Sequence, residues 1–186
     1  MMSYFVMECR GRSPLARVSL VTELDNTPWM TGAVIKEPGQ VIEYKVHSKI
    51  RGNLKAMYEF DVPLFRKDLL QALFDAGVDN LQLFDAVIRD RVDGVSFNNY
   101  FAFNVVGVVS AADMEKSVLM HEETLSDLDH DFSSLVIDTD KVPKDLLLFR
   151  LAESVNAIVV HQKVKDLIEQ RKIEGMVFYE SGVWSG

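Results

Sequence analysis

The side chains that could do chemistry gather in one short stretch. Asp127-Leu128-Asp129-His130-Asp131 alternates carboxylates the way a calcium loop begins. Such a loop also needs glycine at its sixth position and a bidentate glutamate at its twelfth. Those places hold Phe132 and Asp138, so no metal is expected there. His121-Glu122-Glu123-Thr124-Leu125 starts like a zinc-binding H-E-x-x-H and lacks the second histidine. The four histidines, at 47, 121, 130 and 161, share no ligand spacing and read as surface or capping residues. Ten glycines contain no G-x-G pair and no G-x-x-x-x-G-K-[ST] loop, which excludes the common dinucleotide and phosphate cradles. No G-x-S-x-G elbow offers a nucleophile. Cys9, the single cysteine, reads as a small buried hydrophobe, and its solitude rules out an internal disulfide and points to a reducing compartment. No catalytic residue, cofactor or metal ligand is expected.

What remains is charge. The chain is net −8, and the charge is unevenly placed. Residues 1–60 carry eight Lys/Arg against six Asp/Glu. Residues 121–140 carry seven carboxylates and no Lys or Arg. A block of that kind argues against nucleic-acid binding, which wants clustered cations. It suits a solvated loop or a surface that meets a basic partner. Glu122, Glu123, Asp127, Asp129 and Asp131 are the candidate partner-binding residues. Tyr100, Phe101 and Phe103 could form a stacking platform for bases, but no cation is interleaved and core packing accounts for them better.

The elements that would carry this surface are legible in outline. With 186 residues and 48% apolar side chains, the chain suits a single α+β domain over 1–186, with room for an N-terminal subdomain over 1–60. The opening residues show no signal peptide, and no segment is long and apolar enough to span a membrane. Tyr100–Val109 is the most apolar run and reads as a central strand covered on both faces, with Gly107 as a bulge or a close backbone approach. The Asp93-Gly94 turn joins it to a strand over 80–89 in an antiparallel pair. Apolar spacing predicts helices over about 65–76 and 162–171 packed on a mainly antiparallel sheet, the first ended by Gly77. Phe103, Val105, Leu73, Ile168 and Phe149 are the expected core, and the tail 180–186 is expected to fray. Leu64 through Leu83 can also be laid without a gap on Val159 through Phe178, each position 95 residues later. Any strand–helix–strand unit gives such an echo, which is the simpler account of it than duplication.

An ordered set of segments carries a likeness that the single motifs do not. These are Ser3-Tyr4-Phe5-Val6-Met7, Gly77-Val78-Asp79-Asn80-Leu81-Gln82, and Tyr100-Phe101-Ala102-Phe103-Asn104-Val105 with its Asp113–Ser117 exit. Leu148-Phe149-Arg150-Leu151 follows, then Ile158-Val159-Val160 through Ile173-Glu174-Gly175-Met176-Val177-Phe178. In this order they resemble a family of bacterial polymorphic-toxin immunity proteins, the eleventh in the usual naming and formerly a domain of unknown function. Similar proteins often open each helix with serine, where this chain has Arg66 and His161. The resemblance implies a cytoplasmic, non-enzymatic antidote whose partner is a cognate toxin domain of basic character. It supplies no catalytic residue. An enzyme or small-ligand module with an unrecognised site is the alternative that the residues alone leave open.

Overall fold

The computed structural model describes residues 3–24, 29–120 and 130–186. In chain order the strands are β1 (Tyr4–Cys9), β2 (Val18–Leu20), β3 (Ile42–Val46), β4 (Met57–Tyr58) and β5 (Leu64–Arg66). Helix α1 (Lys67–Ala76) leads to β6 (Leu81–Asp90), β7 (Val95–Val105), β8 (Val108–Val109), β9 (Val118–Leu119) and β10 (Phe132–Ser134). Then come β11 (Leu148–Leu151), β12 (Ile158–His161), α2 (Gln162–Gln170) and β13 (Met176–Glu180). Strands and helices segregate as an α+β fold requires. The expected mainly antiparallel sheet is in fact two larger sheets, in the orders β13-β1-β12-β11-β8 and β2-β3-β6-β7-β5-β4, with a ribbon of β10 and β9. Most pairs are antiparallel; β3–β6 and β8–β11 are parallel.

Each sheet is organised around the same unit. β5, α1 and β6 form a split β-α-β, with β7 inserted between the two strands and antiparallel to both. β12, α2 and β13 repeat this with β1 as the inserted strand. The echo in the sequence therefore falls on matching topology, and the match extends to the helix ends. After α1, Gly77 N–H bonds Phe74 O at 2.8 Å and Val78 N–H bonds Leu73 O at 3.0 Å. After α2, Lys172 N–H bonds Glu169 O at 3.0 Å and Ile173 N–H bonds Ile168 O at 3.4 Å. Both ends are Schellman closures, which require a left-handed residue. That residue is Gly77 at φ 100° in one and Lys172 at φ 53° in the other.

The helix starts differ from serine caps in two ways. His161 Nδ1 accepts from Lys163 N–H at 3.1 Å, so the imidazole does the work of a capping hydroxyl. Arg66 makes no cap bond. Instead its guanidinium grips Asp68 at 2.7 and 2.8 Å, and Asp68 Oδ1 accepts from Leu69 N–H at 2.9 Å. A carboxylate in the first turn satisfies a donor there and suits the helix dipole.

The core forms around the facing units. Leu69 and Leu73 of α1 share one apolar cluster with Val164 and Ile168 of α2 and with Phe103, Val105, Leu148 and Ile158 from both sheets. Phe65 and Phe103 stack inside it, ring centroids 3.5 Å apart. Phe149 belongs to a second cluster behind the five-stranded sheet, with Tyr4, Val6 and Trp184. Tyr100 and Ala102 line a third, behind the six-stranded sheet, with Trp29 and Tyr44. All five expected core residues are at most 1% exposed.

Two expectations are corrected. Tyr100–Val109 is not one strand. β7 begins at Val95, ends at Val105, and lies inside its sheet. The chain then breaks at Val106-Gly107, and Val108–Val109 enters the other sheet beside β11. Gly107, at φ 87°, is thus a crossing point, and of the two expected roles it has the close backbone approach rather than the bulge: its N–H donates to Gly32 O at 2.8 Å. A Cβ on Gly32 would lie 2.7 Å from the Gly107 carbonyl carbon, so this approach needs glycine. The apolar run hid the hinge because both of its ends are buried strands. The tail does not fray either. Trp184 is 3% exposed and its indole donates to Glu8 at 2.6 Å, while Gly186 and Phe132 exchange backbone bonds of 2.6 and 3.0 Å.

Two substitutions test this construction by chemical denaturation. Phe103→Ala should cost about 3–5 kcal/mol, the range for a buried phenylalanine; a loss below about 1 kcal/mol would place Phe103 outside the core. Gly77→Ala should cost about 1–2 kcal/mol through its left-handed backbone alone, since its Cβ would meet only side chains in ordinary contact, Leu147 at 3.4 Å and Lys163 Nζ at 3.7 Å. An unchanged midpoint would contradict the Schellman assignment.

Candidate functional site

The acidic stretch is mounted on the β9–β10 ribbon. Glu122, Glu123, Asp127 and Asp129 lie outside the described residues. Asp131 is described and exposed, and its carbonyl accepts from Met120 N–H at 2.9 Å. His130 N–H donates to Glu153 O at 2.6 Å. The two ends of the stretch therefore meet at one place. Leu119 and Phe132 root that place in the cluster behind the five-stranded sheet. Val118, on β9, and Met120, just after it, are both exposed. More carboxylates stand nearby in sequence, but these are engaged. Asp113 accepts from Lys116 Nζ at 2.6 Å, and that bond holds its carboxyl below the usual range. Asp138 accepts from Asp140 N–H at 3.2 Å and pairs with Lys141 at 3.5 Å. Glu153 accepts from Ser110 Oγ and from Ala112 N–H.

The polar residues deep in the fold were not legible as a site. Asn104, on β7, is fully buried. Its Nδ2 donates to Ala33 O at 2.8 Å and to Gln82 Oε1 at 2.9 Å, and Gln82 in turn bonds both backbone groups of Ile35. These bonds fasten the 33–35 segment to the sheet, a structural duty. Arg150 is 0% exposed, with Nη1 donating to Val155 O at 2.6 Å and its carbon 5.9 Å from the Phe103 ring centroid. Its Nε and Nη2 have no partner among the described residues. Burial pulls its pKa down to about 10, and Glu59 opposes that pull. Glu59 keeps one side open to water while protein crowds the rest of its carboxyl. Desolvation pushes it up to about 7, against the nearby charge of Arg150. No spacing rule marks such a pair, because it joins the end of β4 to the middle of β11 across the core.

Two surface clefts obey the internal repeat. One, about 470 Å³, lies between the start of α1 and the turn after α2, lined by Arg66, Asp68, Arg171 and Lys172. The other, about 430 Å³, lies at the start of α2, lined by Tyr4, Asp145, Leu147, His161 and Lys163. In the second, Tyr4 donates to Leu146 O at 3.0 Å and its phenol is raised by burial, then by Asp145. Neither cleft sets a nucleophile against a base. Among the described residues no group of His, Cys, Asp or Glu could hold a metal ion, and no helix is long and apolar enough to cross a membrane.

Fold and surface together define an α+β protein of two interleaved split β-α-β units, with an acidic stretch carried on a ribbon at one side. The chain belongs to the immunity protein family Imm11, whose family model matches residues 70–183. No curated protein matches the chain. The matched region holds α1 from Leu70, all of the central hairpin, the ribbon and the second unit from β12 onward.

Desolvation of the Glu59 carboxyl, opposed by Arg150, makes stability depend on pH. A carboxyl whose folded pKa is about 7 rather than 4.5 favours the folded state when protonated. Its contribution is complete below pH 4.5 and is lost as pH rises through about 7. Solvent on its open side weakens the effect. Glu59→Gln should flatten the profile of denaturation midpoint against pH over that window; an unchanged slope would remove Glu59 as its source.

Proposed function

We propose that this protein is a cytoplasmic, non-enzymatic immunity protein that binds and neutralises a cognate bacterial toxin domain. The observation that carries the reading is membership of the immunity protein family over residues 70–183. The scarcity of any nucleophile–base or metal constellation in the sequence is consistent with action by binding. The partner we infer is basic. Seven carboxylates without a cation between residues 121 and 140 make a local field of one sign. Such a field raises encounter rates with a basic protein and discriminates against acidic ones. Glu122, Glu123, Asp127, Asp129 and Asp131 are the residues assigned to that encounter. Exposed Val118 and Met120 beside Asp131 would add apolar contact at its centre.

The test is association rate against ionic strength, using the toxin domain encoded beside this chain. Replacing Glu122, Glu123, Asp127 and Asp129 with Gln or Asn should slow association and flatten its salt dependence, because screening acts on exposed charges. Folding stability should stay within about 0.5 kcal/mol, as for ordinary surface changes. Identical salt slopes for the two proteins would overturn the assignment of the acidic stretch. Failure of the unaltered chain to bind the toxin domain would overturn the function.

A further inference from the structure

The five-stranded sheet ends on an edge without the usual protection. β13 pairs only with β1, and among the described residues no backbone group of Met176–Tyr179 bonds elsewhere. Open edges invite another strand, and proteins guard them by shortness, proline, charge or a bulge. The other outer strands of the two large sheets, β2, β4 and β8, are only three, two and two residues long. β13 has five residues, in regular register with β1, and its first four are Met-Val-Phe-Tyr without a charge. Its counterpart in the first unit, β6, is ten residues long and there takes β3 along the same outer side. β13 has no such cover among the described residues.

We propose that β13 pairs antiparallel with β13 of a second copy of this chain, about a twofold axis at Phe178. The strand is complementary to itself in that register. Phe178 faces Phe178 of the partner subunit, Val177 faces Tyr179 of the partner subunit, and Met176 faces Glu180 of the partner subunit. Aromatic–aromatic and aromatic–β-branched pairs are the favourable cross-strand combinations, and no like charges stand opposite. A twofold contact of this kind closes on itself and leaves no free edge. Charge fits as well. Met176 and Phe178 share the face that packs toward the helices. Lys165 Nζ lies 5.9 Å from the Phe178 ring centroid on that face. Glu180 of the partner subunit arrives there one diagonal step away, opposite in sign to Lys165. On the other face, Arg10 covers the Tyr179 ring at 5.5 Å. The paired edge is short beside a standard interface, so the dimer is weak and concentration-dependent.

The inference is independent of the toxin reading and is tested on the protein alone. Sedimentation velocity across the micromolar range should show a shift from monomer to dimer mass with concentration. Val177→Lys, which sets a charge on the edge, should remain monomeric throughout. Phe178→Cys should form a disulfide-linked dimer on mild oxidation, because residues at the axis face each other within about 5.5 Å between Cβ atoms. Val183→Cys, exposed but beyond the strand, is the control and should cross-link far less. Monomer mass for the unaltered chain at every concentration would overturn the proposal. So would dimerisation that Val177→Lys leaves unchanged, or equal cross-linking at positions 178 and 183.

Discussion

The structure depends on one shared apolar layer. Neither split β-α-β unit can bury its helix face alone, and each finds its cover in the other. Leu69 and Leu73 meet Val164 and Ile168, the Phe65–Phe103 stack fills the space beneath, and Asp75 pairs with Arg171 across the helix pair. A layer of this kind sets the angle and spacing of both sheets at once. The remaining clusters, behind each sheet, then have fixed walls to fill. The cost of closing the layer around Arg150 is partly offset by the Val155 carbonyl, the Phe103 ring and the distant Glu59 carboxyl. A buried cation with unpartnered donors is expensive, and the nearby carboxyl of Glu59 is itself pushed up by desolvation, which Arg150 only partly opposes.

The internal repeat shows how far local pattern reaches. Leu69, Leu73 and Val78 align with Val164, Ile168 and Ile173, and all six are buried. The alignment extends to features that spacing cannot reveal. Gly77 and Lys172 occupy the same left-handed turn, and Arg66 and His161 the same extended cap position. Lysine in that conformation is uncommon, and nothing in its residue type announced it. The inserted strands β7 and β1 come from different places in chain order, so the equivalence of the two units is visible only in three dimensions.

Where the sequence misled, the reason was physical. Apolar strand on both sides of Gly107 looks continuous, yet the chain changes sheets there. A small polar tail looks loose, yet Trp184 and Gly186 lock it to Glu8 and Phe132. Glu59 and Arg150 carry no spacing signal because they lie far apart in the chain and are linked only through the electrostatic field. The helices, the central hairpin and the core side chains were legible, because burial of one helix face and of both strand faces leaves periodic traces. Of the candidate site, only Asp131 lies among the described residues, where it is exposed.

Family membership and the acidic block between residues 121 and 140 support the proposal that this chain acts by occupying its partner rather than by transforming it. The most direct test is a titration of the cognate toxin domain's activity with the purified protein. Neutralisation by binding predicts that activity falls linearly and is abolished at one chain per toxin domain, with full activity recovered when the complex is dissociated. Neutralisation at far less than one chain per toxin, or loss that persists after the two are separated, would show chemistry performed on the toxin and contradict the account.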